Sequence, residues 1–224
     1  MADSYRVYFA GELFSAKHLD GNAALAELLY QRSNGRYVSV VPQNLEQRDT
    51  TAQEIRDQDI RTLLACDVGI FHYDGPELDS GTVVEFMFAK FADIPAVLLR
   101  TDFRKGGDAG TDPWNLMTSF YPRTETVLLD AMGIYKKAFE PYRKMSDEAL
   151  LAGGIASRVA AEMHERILDP VMEALDRVVT SKCVLPEADA EAIHRWLGVL
   201  PGYRDGVLVE EMMRNLARRQ RKRD

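Results

Sequence analysis

The stretch Val68-Gly69-Ile70-Phe71-His72-Tyr73, followed by Ser80-Gly81-Thr82-Val83-Val84-Glu85-Phe86-Met87-Phe88-Ala89 and then Ala96-Val97-Leu98-Leu99-Arg100, decides the fold. The first run is short, β-branched and aromatic, and predicts a strand over 68–73. The second is apolar on every helical face and predicts a helix over 80–93. The third predicts a strand over 96–100. Strand, helix and strand in so short a span make a right-handed βαβ unit, which sets the two strands parallel. Strands this continuously apolar are covered on both faces.

The same alternation extends both ways. Arg6-Val7-Tyr8-Phe9-Ala10 predicts a strand that stops at Gly11. An Ala/Leu-rich run predicts a helix over 23–30, closed near Asn34-Gly35, and 37–41 predicts a strand ended by Pro42. A helical apolar period covers 51–65, with Thr51 and Glu54 at capping-box spacing. A fifth strand is predicted over 126–129. The expected fold is α/β: a doubly wound, flavodoxin-like five-stranded parallel sheet with helices on both faces, plus a C-terminal helical extension. Residues 1–130 are expected to form the α/β domain that holds the site, and 131–224 the helical extension. Its helices are predicted over 145–180 with a break at Pro170, over 187–197 and over 207–221. In such sheets a ligand sits beyond the carboxyl ends of the strands near the switch point. Three loops meet there: 11–16, 74–82 and 101–113. Within the last, 105–111 reads as a flexible surface loop or as a lid.

Composition narrows the function. The 224 residues carry a net charge of -7, which argues against general nucleic-acid binding, since a phosphate backbone is held by clustered Lys and Arg. Two distant cysteines, Cys66 and Cys183, suggest reduced thiols rather than a disulfide framework. The start, Met1-Ala2-Asp3-Ser4-Tyr5-Arg6-Val7, lacks the apolar core of a signal peptide, and no apolar run reaches the roughly 18–20 residues of a membrane span. A cytoplasmic protein is expected, with neither membrane nor nucleic acid as partner. No Gly-x-Gly-x-x-Gly, Walker loop or Gly-x-Ser-x-Gly elbow is present. The four histidines, His18, His72, His164 and His194, have no metal-ligand spacing, so no metal and no cofactor are expected.

Acids carry the rest. Glu85 is a carboxylate inside an otherwise apolar helix, within two turns of a cap at Asp79 or Ser80. A buried carboxylate is costly unless bonded or neutralised, and such acids are enriched at functional sites. The alternative is the one solvated edge of a mostly buried helix. Asp79 before Ser-Gly-Thr reads first as an N-cap. Asp59 on the preceding helix reads by default as an exposed charge, and Asp67 as a cap or turn. Asp74-Gly75-Pro76 is a turn signature. Tyr8 is a core aromatic whose buried hydroxyl needs a partner, which a carboxylate would supply. An acid set of this kind suits chemistry at an acetal-like carbon, as in glycosidic cleavage.

Taken in order, these residues resemble a known family. Val7-Tyr8-Phe9-Ala10-Gly11 with Leu13-Phe14, Asp59 eight residues before Asp67, Asp79-Ser80-Gly81-Thr82-x-x-Glu85 with Ala89, Asp102-x-Arg104, and Pro113-x-Asn115-Leu116-Met117 together resemble the nucleoside 2-deoxyribosyltransferases over about residues 5–130. The resemblance implies that Glu85 attacks C1′ of a 2′-deoxynucleoside, that the base leaves, and that a second base takes the sugar with net retention. It implies that Tyr8 orients Glu85, that Asp79 binds the sugar hydroxyls and that Asp59 contacts the base and assists its protonation. Asn115 would reach the sugar 5′-hydroxyl in a neighbouring subunit's site, making the active unit a homo-oligomer, at least a dimer and up to a hexamer. Gly11, Phe14 and Asp102 join the substrate-binding set, although Phe14 reads equally as core and Asp102 as a turn residue. The partners implied are 2′-deoxynucleosides and free nucleobases. Two other functions stay open: an N-glycoside hydrolase of nucleosides or nucleotides, with water replacing the acceptor base, and a non-catalytic nucleoside binder. About ninety residues follow the last strand, where some family members end. The basic tail, 214–223, reads as cations complementing a helix dipole.

Overall fold

A computed structural model describes residues 4–45, 51–104, 114–202 and 206–221. Five strands, β1 (Tyr5–Ala10), β2 (Tyr37–Val40), β3 (Val68–His72), β4 (Ala96–Arg100) and β5 (Thr124–Leu128), form one sheet of order β2-β1-β3-β4-β5. Every neighbouring pair is parallel. The chain runs outward from β1 in one direction, returns, and continues from β3 in the other. The expected doubly wound fold is therefore present, with its switch point between β1 and β3.

Helices cover both faces, as the alternation of inward side chains requires. Val7, Phe9, Val68, Ile70, Val97 and Leu99 face α1 (Ala16–Arg32) and α6 (Ile155–Val179). Tyr8, Ala10, Phe71 and Leu98 face α2 (Ala52–Ala65) and α3 (Ser80–Phe91). The chain beyond β5 adds α4 (Ala131–Phe139), α5 (Asp147–Ala152), α6, α7 (Glu187–Val199) and α8 (Val207–Arg221). Leu197, Leu208 and Met212 of α7 and α8 join the core formed with α2 and α3.

Several local expectations need correction. α1 begins at Ala16, well before residue 23, because Ser15 caps it by accepting from the His18 backbone N–H at 3.3 Å. The helix expected over 145–180 is two helices, divided at Gly153-Gly154, where Gly154 has a φ of +64°. Pro170 does not break α6. Proline removes one backbone donor there, but Ile167, Leu168, Val171, Ala174, Leu175 and Val178 are seated on the sheet and hold the helix through it. The 105–111 segment lies outside the described residues. No helix among the described residues is long and apolar enough to cross a membrane.

Candidate active site

Strand alternation aims Tyr8 at the α2/α3 face. Its ring is fully buried, and its hydroxyl donates to Glu85 Oε1 at 2.6 Å. The bond joins the middle of β1 to the second turn of α3. Phe86, the next residue of α3, locks the helix in place by edge-on contacts with Phe71 at 5.3 Å and Tyr121 at 5.5 Å.

Glu85 is partly open to solvent. Burial raises its carboxyl to about 7; the Tyr8 bond opposes the rise, and the charges on Asp59 and Asp79 add to it. Tyr8 responds in the opposite sense: burial and then the Glu85 charge push its hydroxyl well above the ordinary range, so it remains a proton donor. Asp59, on α2, is half-buried and close enough to act on both groups. The carboxyl at 85 thus titrates near neutrality, with one oxygen held by a phenol.

Asp79 is the N-cap of α3. Its Oδ2 accepts from the Thr82 backbone N–H at 2.7 Å and from Thr82 Oγ1 at 2.9 Å. A Cβ at Gly81 would stand 3.1 Å from that oxygen, so the glycine makes room for the cap. The cap role and the electrostatic coupling to Glu85 coexist, because the cap uses one carboxyl oxygen. Gly11 closes the sheet end: a Cβ there would meet His72 Cβ at 3.0 Å, so the chain leaving β1 can run close over β3 only without a side chain.

The remaining candidates lie elsewhere. Asn115 is exposed and caps a 3-10 turn, Leu116–Thr118, its Oδ1 accepting from the Met117 backbone N–H at 2.9 Å. It lines a hollow with Ser80, Val83 and Val84 of α3, positions on a different side of the helix from Glu85. Phe14 is 76% exposed and packs in no core, which removes the core alternative. Asp102 accepts from the Gly75 backbone N–H at 3.2 Å and from the Arg104 backbone N–H at 3.0 Å, and thereby fixes its own loop. Asp67 accepts from the Arg6 backbone N–H and from Arg218, tying β1 to α8.

Two rim residues carry more than their sequence suggested. Asp74, a turn residue by pattern, binds the Thr101 and Asp102 backbone N–H groups at 2.6 and 2.9 Å, the Thr101 hydroxyl at 2.5 Å and His72 Nε2 at 3.0 Å. Burial works against its charge, yet His72 and Thr101 hold the carboxyl well below the usual carboxylate range. It stitches the loop after β3 to the loop after β4. Arg100, the last residue of an apolar strand, is 3% exposed and donates to the Tyr73 and Gly75 carbonyls at 2.6 and 3.1 Å. A cation ending a buried strand was the available signal. Among the described residues no cluster of three His, Cys, Asp or Glu side chains could hold a metal ion.

The chain is similar to known proteins. The family model described as nucleoside 2-deoxyribosyltransferase matches residues 7–117. The chain is similar to the crystal structure of a conserved protein from Enterococcus faecalis V583, with 27% identity over 57% of this chain and 91% of that one, and a TM-score of 0.48. It is similar to a 2-desoxiribosyltransferase from Leishmania mexicana, with 22% identity over 68% and 97% of the two chains and a TM-score of 0.43. It is also similar to a 2-deoxyribosyltransferase from Bacillus psychrosaccharolyticus, with 18% identity over 50% and 79% and a TM-score of 0.38. No curated protein matches. The span matched by the family model contains Tyr8, Asp59, Asp79, Glu85 and Asn115, and the chain belongs to the nucleoside 2-deoxyribosyltransferase family.

Proposed function

We propose that this protein exchanges the base of 2′-deoxynucleosides through a covalent deoxyribosyl–Glu85 intermediate. The observation that carries this is the 2.6 Å bond from a buried Tyr8 hydroxyl to a carboxyl that titrates near 7. Tyr8 holds Oε1, which leaves Oε2 to attack C1′. The bond from C1′ to the base nitrogen breaks as the bond from C1′ to Oε2 forms. The departing base takes its electron pair and needs a proton. Asp59 delivers it: the proton that the Glu85 carboxyl gives up as it ionises for attack passes to its neighbour Asp59 and from there to the base. A second base then attacks C1′ from the opposite face, returns a proton to Asp59 and releases Glu85. Two inversions give retention.

In this reading Asp79 uses its cap-free oxygen for the sugar hydroxyls. Gly11 gives the ligand close access to the end of the sheet, and the exposed Phe14 ring covers the base. Asp102 acts at one remove by fixing the rim. Asn115, on a different side of α3 from Glu85, serves a neighbouring copy's site through its Nδ2, so the active unit is a homo-oligomer.

The test is direct. Deoxyadenosine and a different free base are incubated with the protein and the products resolved by chromatography. A new deoxynucleoside is expected. Free deoxyribose without exchange would point to hydrolysis instead, and no turnover with several donors would exclude both.

A further inference from the structure

We propose that the hollow between the first turn of α3 and the Trp114–Asn115 segment is an oxyanion site, with Arg100 as its cation. The hollow has a volume of about 590 Å³ and lies on the side of α3 away from Tyr8. Arg100 lines it and is almost wholly buried. A guanidinium carries five N–H donors and one full charge. Here it donates to two neutral carbonyls, of Tyr73 and Gly75, and among the described residues its Nε has no partner. A buried charge without a counter-ion is expensive, and carbonyl dipoles offset only part of the cost.

Among the described residues the nearby acids are committed elsewhere. Asp74 binds Thr101, the Asp102 backbone N–H and His72. Asp102 binds the Gly75 backbone N–H and Arg104. Glu77, the acid on the wall of the hollow, is exposed at its mouth and makes no bond to Arg100. The first turn of α3 adds the positive end of a twelve-residue helix, partly offset by its N-cap Asp79, with Ser80 on the wall. Leu78, Val83, Val84, Trp114 and Met117 supply apolar wall, and Asn115 and Thr118 polar wall. A carboxylate or phosphate on an apolar body satisfies both the unpaired N–H and the walls. It comes either from a free small molecule or from an acidic side chain of a second copy of this chain. The site is independent of the role given to Glu85.

Replacing Arg100 would also release the Tyr73 and Gly75 carbonyls, so the test reads the charge through Val84, which is 51% exposed and lines the hollow. Val84→Glu brings a carboxylate to the site; Val84→Gln brings the same bulk without charge. Melting temperature is followed against inorganic phosphate and against benzoate, with chloride at matched ionic strength as the control. Solution mass is followed by sedimentation. If the oxyanion is free, wild type and Val84→Gln show a saturable rise of roughly 3 °C, and Val84→Glu shows none. If a second copy supplies it, neither anion acts, but Val84→Glu alone falls to a lower mass. No saturable response in wild type, together with equal masses for all three proteins, would overturn the proposal. So would an anion response that Val84→Glu retains.

Discussion

Replacing Glu85 with glutamine should stabilise the protein while removing its activity. The Glu85 carboxyl is raised from 4.5 to about 7, by burial first and then by Asp59 and Asp79, against the pull of the Tyr8 bond. Its folded value lies above its unfolded one, so the native state prefers the protonated carboxyl. The associated stability is present below about pH 4.5 and is lost as pH rises through about 7. At 1.36 kcal/mol per pH unit, the gap amounts to about 3 kcal/mol at pH 8, and to less than about 1 kcal/mol at pH 5. The first figure is an upper bound, because the side chain is partly in contact with water. Glutamine keeps an acceptor for the Tyr8 hydroxyl and nearly the same volume, with no charge to desolvate. Urea unfolding of both proteins at pH 5 and pH 8 measures the difference. The variant should gain about 1–3 kcal/mol over wild type at pH 8, and markedly less at pH 5. A difference that stays constant between the two pH values would refute the reasoning, since only the ionised form is strained. A variant that keeps near wild-type exchange would remove Glu85 as the nucleophile.

Other perturbations separate the parts of the site. Tyr8→Phe deletes the bond that holds the Glu85 carboxyl down, so the acid limb of kcat/KM should move to higher pH; Asp79→Asn deletes a charge that holds it up, so the limb should move lower. Limbs that stay together in both variants would contradict the coupling. Gly69→Ala should cost about 1–3 kcal/mol in urea unfolding, because the new Cβ would stand 2.4 Å from Cε2 of the fully buried Phe71 ring; a loss below about 0.5 kcal/mol would show that the ring yields freely. Mixing inactive Glu85→Ala with inactive Asn115→Ala should restore on the order of a quarter of wild-type activity if Asn115 serves a neighbour's site in a dimer. A mixture no more active than its parts would return Asn115 to its own chain.

The parallel sheet was legible because its strands are apolar throughout and separated by helical periods, a signal set by burial on both faces. Tyr8 could be seen only as a hydroxyl needing a partner, and Glu85 only as an acid in the wrong place. That they bond depends on where β1 and α3 meet, seventy-seven residues apart in sequence, which no local period encodes. The start of α1 was missed because Ser15 acts through a single capping bond, weaker than the Ala/Leu run that follows it. Pro170 misled because propensity is a local cost, whereas the side chains of α6 that press on the sheet act together. The bonds of Arg100 and Asp74 are hidden from the sequence for a similar reason. One ends an apolar strand and the other begins a turn, and their partners come from the loops after β3 and β4, which only the fold brings side by side. Phe14 kept two sequence readings, and its exposure removes the core one.

The central claim is that Glu85 carries the sugar. Its most direct test is intact-protein mass spectrometry after a rapid acid quench, with a deoxynucleoside as donor and no acceptor base, followed by peptide mapping. One added deoxyribosyl group is expected on the peptide containing Glu85, lost when an acceptor base is added and absent from Glu85→Ala. An adduct on Asp59 or Asp79, or base exchange that persists in Glu85→Ala, would contradict it.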